Sequence, residues 1–440
     1  MSNDVTTPSQ LSGLFKQIYA KDLEKLIPDC GKLVKMVPFY SDGQLGDKYN
    51  QPVVLTTEQG VSYATHNAGA FDLESPISMG TQNAEVVGRQ ILLRSAISYD
   101  AFYKNKDEKA QFKSATGLVT ENMLESLTKR LEVGMLHGQS GIASVDTGDF
   151  TDSTGGVGTF VVSEADWAAG IWAGAEGIRL SFYSAFDPAT IGAATNVTAN
   201  TTGAEVYVTA VDCDTRTITV ASTGAAISEI ETASAGGALT VFYKGTVSGS
   251  GASFALIEMA GLKHIFANTG TLFNINAAQY NLWKANTFSA GSAKLTMAKV
   301  MEAISKAVNR GLDEKVVLMV NPSTWADLAS DLAALRRYDG SYSKSKGENG
   351  VEALVYHSQA GEIEVISHTL VKEGQAFIFP PKRIKRIGSS DITFDAPMNQ
   401  GEIFLHLPNK AGYELRAYSN QSIFVETPAR CVLITDIVNG

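Results

Sequence analysis

The sequence predicts an α+β chain built from a long hairpin, a long helix and an inserted small all-β domain. Three observations lead there. Two runs of alternating apolar and polar residues flank a Gly-, Ala-, Ser- and Asn-rich middle between Thr65 and Asn83. Lys106 to Leu136 carries the longest helix-period stripe in the chain. From Pro188 to Ala255 the composition shifts to Ala, Gly, Ser and Thr, broken by short alternating segments.

The first fifty residues read as an extended arm with small helical patches. Leu11, Leu14, Phe15, Ile18 and Tyr19 recur at three and four, and Pro28 and Pro38 end the patches. Val53, Leu55, Val61 and Tyr63 share one face of a strand expected from Val53 to Ala64. Ile91, Leu93, Ile97 and Tyr99 do the same on a second strand, expected from Ala84 to Phe102. An isolated hairpin of this length is marginal in water, so a neighbouring subunit is its natural support.

In the long helix, Phe112, Val119, Met123, Leu127, Leu131 and Met135 form the apolar stripe, and Gly138 to Gly141 end it. Residues 151–265 carry 4 Lys and Arg against 11 Asp and Glu, most of the chain's acidity, with almost no helix signal. VDCDTRTITV (Val211 to Val220) reads as strand, Asp-rich turn, strand. Beyond Ile265 the pattern is mixed. Met297, Val300, Met301, Ile304 and Val308 mark a helix with Gly311 beyond it. KVVLMV (Lys315 to Val320) is an apolar strand, and Asn321-Pro322 opens another helix. Strands are expected at Ala353 to His357, Glu362 to Ser367, Ala376 to Phe379 and Ile384 to Ile387. Four more follow, at Glu402 to Leu407, Glu414 to Tyr418, Ile423 to Glu426 and Cys431 to Ile437.

Composition narrows the function. At 440 residues, 44% hydrophobic and net charge −10, the chain suits several globular units and disfavours a basic nucleic-acid binder. No apolar run reaches the ~18 residues of a membrane span, and the polar N-terminus lacks the pattern of a secretory signal. Cys30, Cys213 and Cys431 stand far apart, which fits a reducing compartment. Catalytic signals are weak. Asp146-Thr147-Gly148 resembles half of an aspartic-protease site but sits in a Gly/Asp-rich connector, where a turn is expected. Gly155-Gly156-Val157-Gly158 lacks the Lys and Ser/Thr of a phosphate loop. The six histidines show no helical zinc spacing. No cofactor, metal or enzymatic activity is expected.

The order of elements, and local wording in four places, resembles the major capsid protein of tailed bacteriophages, a fold shared with the herpesvirus capsid floor. ISYDAFYKNKDEKAQF (Ile97 to Phe112) resembles the second strand of that family's extended loop running into its spine helix. LTKRLEVGMLHGQSG (Leu127 to Gly141) resembles the end of that helix. VVLMVNPSTWADL (Val316 to Leu328) resembles the strand and helix of the axial domain, and ELRAYSNQSIFVETPARCVLITDI (Glu414 to Ile437) the returning strands of the peripheral domain. The resemblance implies an N-terminal arm over 1–50, an extended hairpin loop over 51–104 and a spine helix over 105–150. It then implies an inserted β-rich domain over 151–265, an axial α/β domain over 266–385 and peripheral strands over 386–440.

Function follows as what the resemblance implies. The chain would be a structural subunit that self-assembles into hexamers and pentamers of an icosahedral shell around double-stranded DNA. It would reside in the virion after assembly in the host cytoplasm, with scaffolding, portal and decoration proteins as further partners and no membrane. Arg89 and Arg94 on the hairpin would meet Glu121 or Glu125 on an adjacent spine helix. Arg336, Arg337 and Tyr338, in a basic loop with Lys344 and Lys346, would lie near a capsomer centre. Tyr49 to Tyr103 contains no lysine, so the covalent crosslink of some family members is not expected. The arm begins at once, which points to a separate scaffold or none. Competing readings are a bacterial nanocompartment shell, a β-rich phage tail or adhesion protein, and a dimeric aspartic protease.

Overall fold

A computed structural model describes residues 31–40, 48–100, 115–153, 155–187, 194–197, 204–331, 354–359, 361–394, 404–407 and 410–439. A short helix, α1 (Lys32–Met36), and a two-residue strand, β1 (Phe39–Tyr40), precede the hairpin. The hairpin is β2 (Tyr49–Thr56) against β3 (Gly80–Val86), antiparallel from Tyr49↔Val86 to Thr56↔Gly80. Strict alternation on β2 gives it one half-buried and one exposed face. Beyond Thr56 only the isolated bridge Gln59↔Ile77 continues the pairing.

The second expected strand is in fact two. β3 ends at Val86, and β4 (Arg89–Ser98) turns away to pair with residues 412–421. Gly88 permits the turn: a Cβ there would stand 2.0 Å from Asn420 Oδ1. Ile91, Leu93 and Ile97 therefore face the body of the protein, not the hairpin. The first strand also stops short of Ala64, and Val61 and Tyr63 lie exposed.

The long helix, α2 (Ala115–His137), carries Met123, Leu127, Leu131 and Met135 into the core as its stripe requires. Phe112 and the expected start at Lys106 lie outside the described residues. From Leu131 onward the helix is buried all round. Its end is crossed closely by residues 259–261, where a Cβ on Gly261 would lie 2.4 Å from Gly138 N. Gly261→Ala is expected to lower stability by about 1–3 kcal/mol through overpacking. An unchanged urea midpoint would show that the crossing yields.

Eight strands then form one sheet. They are β5 (Ala143–Val145), β6 (Phe150–Asp152), β7 (Val157–Val161), β8 (Arg179–Ser184), β9 (Thr195–Asn196), β10 (Val206–Asp212), β11 (Thr217–Ala221) and β12 (Leu239–Tyr243). Their order is β5-β12-β8-β10-β11-β7-β6, with β9 on β8. The Asp-rich turn forms as read: the Asp212 carboxylate accepts from the N–H of Asp214 at 3.0 Å. The all-β expectation fails here. A one-turn helix, α3 (Ala169–Trp172), and a 13-residue helix, α4 (Gly224–Gly236), lie within the segment. Thr223 caps α4, and Ile227 and Ile230 bury its inner face. Nor does the sheet hold a core apart: Phe150, Phe160, Phe182 and Ile218 belong to the same apolar cluster as Leu131 and Phe424.

The remaining elements begin with β13 (Val247–Ser248), β14 (Ala255–Leu256), α5 (Leu262–Ala267), β15 (Thr271–Leu272), β16 (Ile275–Asn276) and β17 (Asn286–Ala293). There follow α6 (Met297–Val308), β18 (Val316–Val320), α7 (Pro322–Ser330), β19 (Leu354–Ser358), β20 (Gly361–Ser367) and β21 (Ala376–Phe379). The last are β22 (Ile384–Thr393), β23 (Phe404–His406), β24 (Gly412–Val425) and β25 (Val432–Ile437). α6 and β18 sit where the sequence places them, and all five residues of β18 are buried. Asn321 caps α7 by accepting from Ser323 N–H at 2.9 Å, and Gly311 has φ 94°.

Two sheets organise these strands. Six order as β17-β25-β21-β18-β20-β19. Five order as β1-β22-β24-β23 with β4 on the other side of β24. The two strands expected at Glu414 to Tyr418 and Ile423 to Glu426 are one, β24. β25 lies between β17 and β21 in the six-stranded sheet, so the chain crosses back over the boundary expected at 386.

Candidate functional site

Among the described residues, the hairpin's far end is the least buried apolar surface. Tyr63 is 88% exposed and Leu73 81%, and Val54, Val61, Phe71, Ile77 and Met79 are exposed with them. Between residues 49 and 88 the chain has Glu58, Asp72, Glu74 and Glu85 and no Lys or Arg. An apolar surface of this extent, rimmed by like charges, marks a contact site.

The root is held by aromatic and polar contacts. Tyr40 meets Tyr49 edge-on at 5.8 Å, Tyr49 meets Phe424 at 6.0 Å, and Phe273 meets Phe424 at 5.2 Å. Glu85 accepts from Lys48 Nζ at 2.7 Å.

Of the charged candidates, Arg94 has a partner in its own chain. Its Nε donates to Glu414 on β24 at 2.5 Å, and Arg416, directly across from it, pairs with the same carboxylate. Burial pushes Glu414 up, but the bonds from Arg94 and Arg416 outweigh it and hold the carboxyl below its usual range. Arg89 is exposed at the start of β4, and Glu121 and Glu125 lie on the exposed face of α2. Arg336, Arg337 and Tyr338 fall outside the described residues. Asp146 stands in a tight turn, accepting from Asp149 N–H at 3.1 Å while Ser234 O receives Gly148 N–H. Among the described residues no group of three or more His, Cys, Asp or Glu is placed to hold a metal, and no helix is long and apolar enough to cross a membrane.

Two buried polar clusters went unseen in the sequence. Glu132, fully buried on α2, accepts from Leu33 N–H and, at 2.8 Å, from Val34 N–H, so it caps α1 from outside. His368 Nδ1 accepts from Leu370 N–H at 3.1 Å, which leaves Nε2 as the donor to Glu132 at 2.8 Å. Glu132→Ala would strand three donors, and a loss of roughly 3 kcal/mol is expected. Faster protease cleavage near residues 31–37 should accompany it; unchanged stability would refute the cap. The sequence hint was a carboxylate beside the stripe residue Leu131.

The second cluster ties the eight-stranded sheet to the body. Lys372, fully buried, lies 3.1 Å from Asp166 Oδ1 and donates to Gly141 O at 3.2 Å. Lys263 lies 3.5 Å from the same oxygen, and Gln375 Nε2 donates to it at 3.3 Å. Burial lowers Lys372 to about 7, with Asp166 pulling against that. Asp166 sits well below the usual carboxylate range, because Lys263 and Lys372 outweigh its own burial. Nearby, burial and Lys372 keep His137 well below 6.5.

The capsid asymmetric unit of cyanophage A-1(L) superposes with TM-score 0.56 at 10% identity, covering 98% of this chain and 99% of that one. The structure of Mycobacterium phage Cain gives 0.45 at 10%, covering 98% of each chain. The SrpI encapsulin of Synechococcus elongatus gives 0.43 at 8%, covering 98% of this chain and 96% of that one. No curated protein sequence matches the chain. The SU10 major capsid protein model matches residues 119–387, more than half of the chain, and the chain belongs to that family.

Proposed function

We propose that this subunit builds an icosahedral shell of hexamers and pentamers around packaged phage DNA, with each hairpin lying across a neighbouring copy. The exposed apolar row from Val61 to Met79 carries this reading. A monomer leaves that row in water, whereas in a closed lattice every subunit gives one arm and receives another.

In this reading α2 is the spine helix of a peripheral domain, and the six-stranded sheet with α6 and α7 is the axial domain. The eight-stranded sheet is an insertion on the shell. Arg89 and Arg94 face Glu121 and Glu125 of an adjacent copy, and Arg336, Arg337 and Tyr338 lie near the capsomer centre. Arg94 already serves Glu414, which makes Arg89 the stronger crossing charge. Such rim pairs set geometry more than strength. Scaffolding, portal and decoration proteins are the further partners, assembly takes place in the host cytoplasm, and a net charge of −10 suits a container that holds DNA without gripping it.

The test is to express the chain and examine it by negative-stain electron microscopy with light scattering. Closed shells, capsomers or curved sheets are expected. A monodisperse monomer that persists with a co-expressed scaffold would overturn the reading.

A further inference from the structure

Residues 270–283 form a small post beside the hairpin root. β15 and β16 pair as Thr271↔Asn276 and Leu272↔Ile275 around a two-residue loop, Phe273-Asn274. Both loop residues have positive φ, 50° and 66°, the signature of a type I′ turn. Asn tolerates that region; a bulky Phe is a genuine outlier there. The post is firm from behind. Leu272 and Ile275 are buried, and the Trp283 indole N–H donates to Leu272 O at 2.9 Å. A strained residue on a rigid support invites the question of what it touches.

It touches the hairpin, and through Phe424 it reaches both strands. The Phe273 carbonyl accepts from Glu85 N–H at 3.0 Å. Asn274 Nδ2 donates to Glu85 Oε1 at 3.2 Å, while Lys48 holds the other carboxylate oxygen. The Phe273 ring packs edge-on against Phe424, which packs in turn against Tyr49 of β2. A relaxed Asn-Gly turn would keep the loop's shape but lose both the ring and the amide. Past this contact an open groove of about 450 Å³ runs along the junction, lined by Thr81, Gln82, Asn83, Glu85 and Asn274.

We propose that Phe273 and Asn274 are positioning residues, and that their strained turn fixes the direction in which the hairpin leaves the body. Tyr49 of β2 and Glu85 of β3 are referenced to one rigid point, so the arm is presented at one angle to the copy that must receive it. The proposal rests on the reading of the hairpin as the assembly arm.

The test uses the full chain with Phe273→Asn, which suits the backbone and removes the ring. Asn274→Gly, at an exposed position, removes the amide and serves if the first variant fails to fold. Three quantities are read: the global unfolding midpoint, amide hydrogen exchange at residues 80–86, and shells by electron microscopy. The expected result is an exchange rate at residues 80–86 raised about tenfold, with β18 and β21 unchanged, and malformed or scarce shells. Unchanged exchange at residues 80–86 would overturn the proposal. So would normal shells from a variant whose hairpin root has loosened. Removing residues 57–79 separates the two ideas. Shells from that shortened chain would remove the arm reading itself, whereas their loss beside normal Phe273→Asn shells would remove only the positioning role.

Discussion

A chain lacking residues 57–79, closed from Thr56 to Gly80 by an Asn-Gly turn, should fold as the full subunit does and form no shells. Thr56 and Gly80 are cross-strand partners, so a two-residue loop of that type closes the ladder without shifting its register. The removed segment takes Val61, Tyr63, Phe71, Leu73, Ile77 and Met79 with it, all exposed. Little of the subunit's own stability resides there, and its unfolding free energy should change by about 0.5 kcal/mol at most. The effect on assembly should be complete, because every contact in a lattice of identical copies loses the same arm. Light scattering and microscopy on the purified variant decide it. Normal shells would sink the interlocking-arm reading.

Asp166→Ala is expected to cost about 3–5 kcal/mol, because it removes the carboxylate that Lys372, Lys263 and Gln375 share, and the buried Lys372 must then give up its proton or stay charged without a partner. Lys372→Met should be far milder, since Lys263 and Gln375 still serve Asp166. The pH dependence has a definite sign. Lys372 sits near 7 in the folded chain, below its usual 10.5, so the unfolded chain binds more protons between those values. Its contribution to stability therefore rises with pH across that window. Asp166 is depressed, so its contribution is present above the ordinary carboxylate range and is lost as pH falls through its folded value. Urea titrations near pH 5, 7 and 9 should show the alkaline gain in the natural chain and its loss in Lys372→Met. An equal response in both chains would remove Lys372 as the source.

Local chemistry made much of this fold legible in advance. The stripe of α6, the unbroken apolar run of β18 and the Asn-Pro start of α7 are settled within a few residues, and the structure matches them. Choice of partner is not a local matter. Nothing near Val86 says that the chain will leave β2 for β24, because the reason, Asn420 beneath Gly88, lies more than three hundred residues away. α4 hid for a different cause. GAAISEIETASAG reads as low-complexity filler, and only Ile227 and Ile230, three apart, mark its buried side. The hairpin was visible as a candidate contact surface through its alternation and its length, which call for something to lie on. The Glu132–His368 and Asp166–Lys372 clusters were not, since each joins side chains more than two hundred residues apart.

The placement of β24 and β25 bears on when a newly made chain becomes competent. Each is an interior strand: β24 separates β4 from β22, and β25 separates β17 from β21. Until the ribosome has released residues 412–437, both sheets stand open with a gap one strand wide. Pairings of such long sequence separation form late and slowly. A growing polypeptide therefore carries the hairpin residues well before it has Phe424 and the body that would anchor them. Neither sheet is complete, and the subunit is not finished, until β24 and β25 are in place.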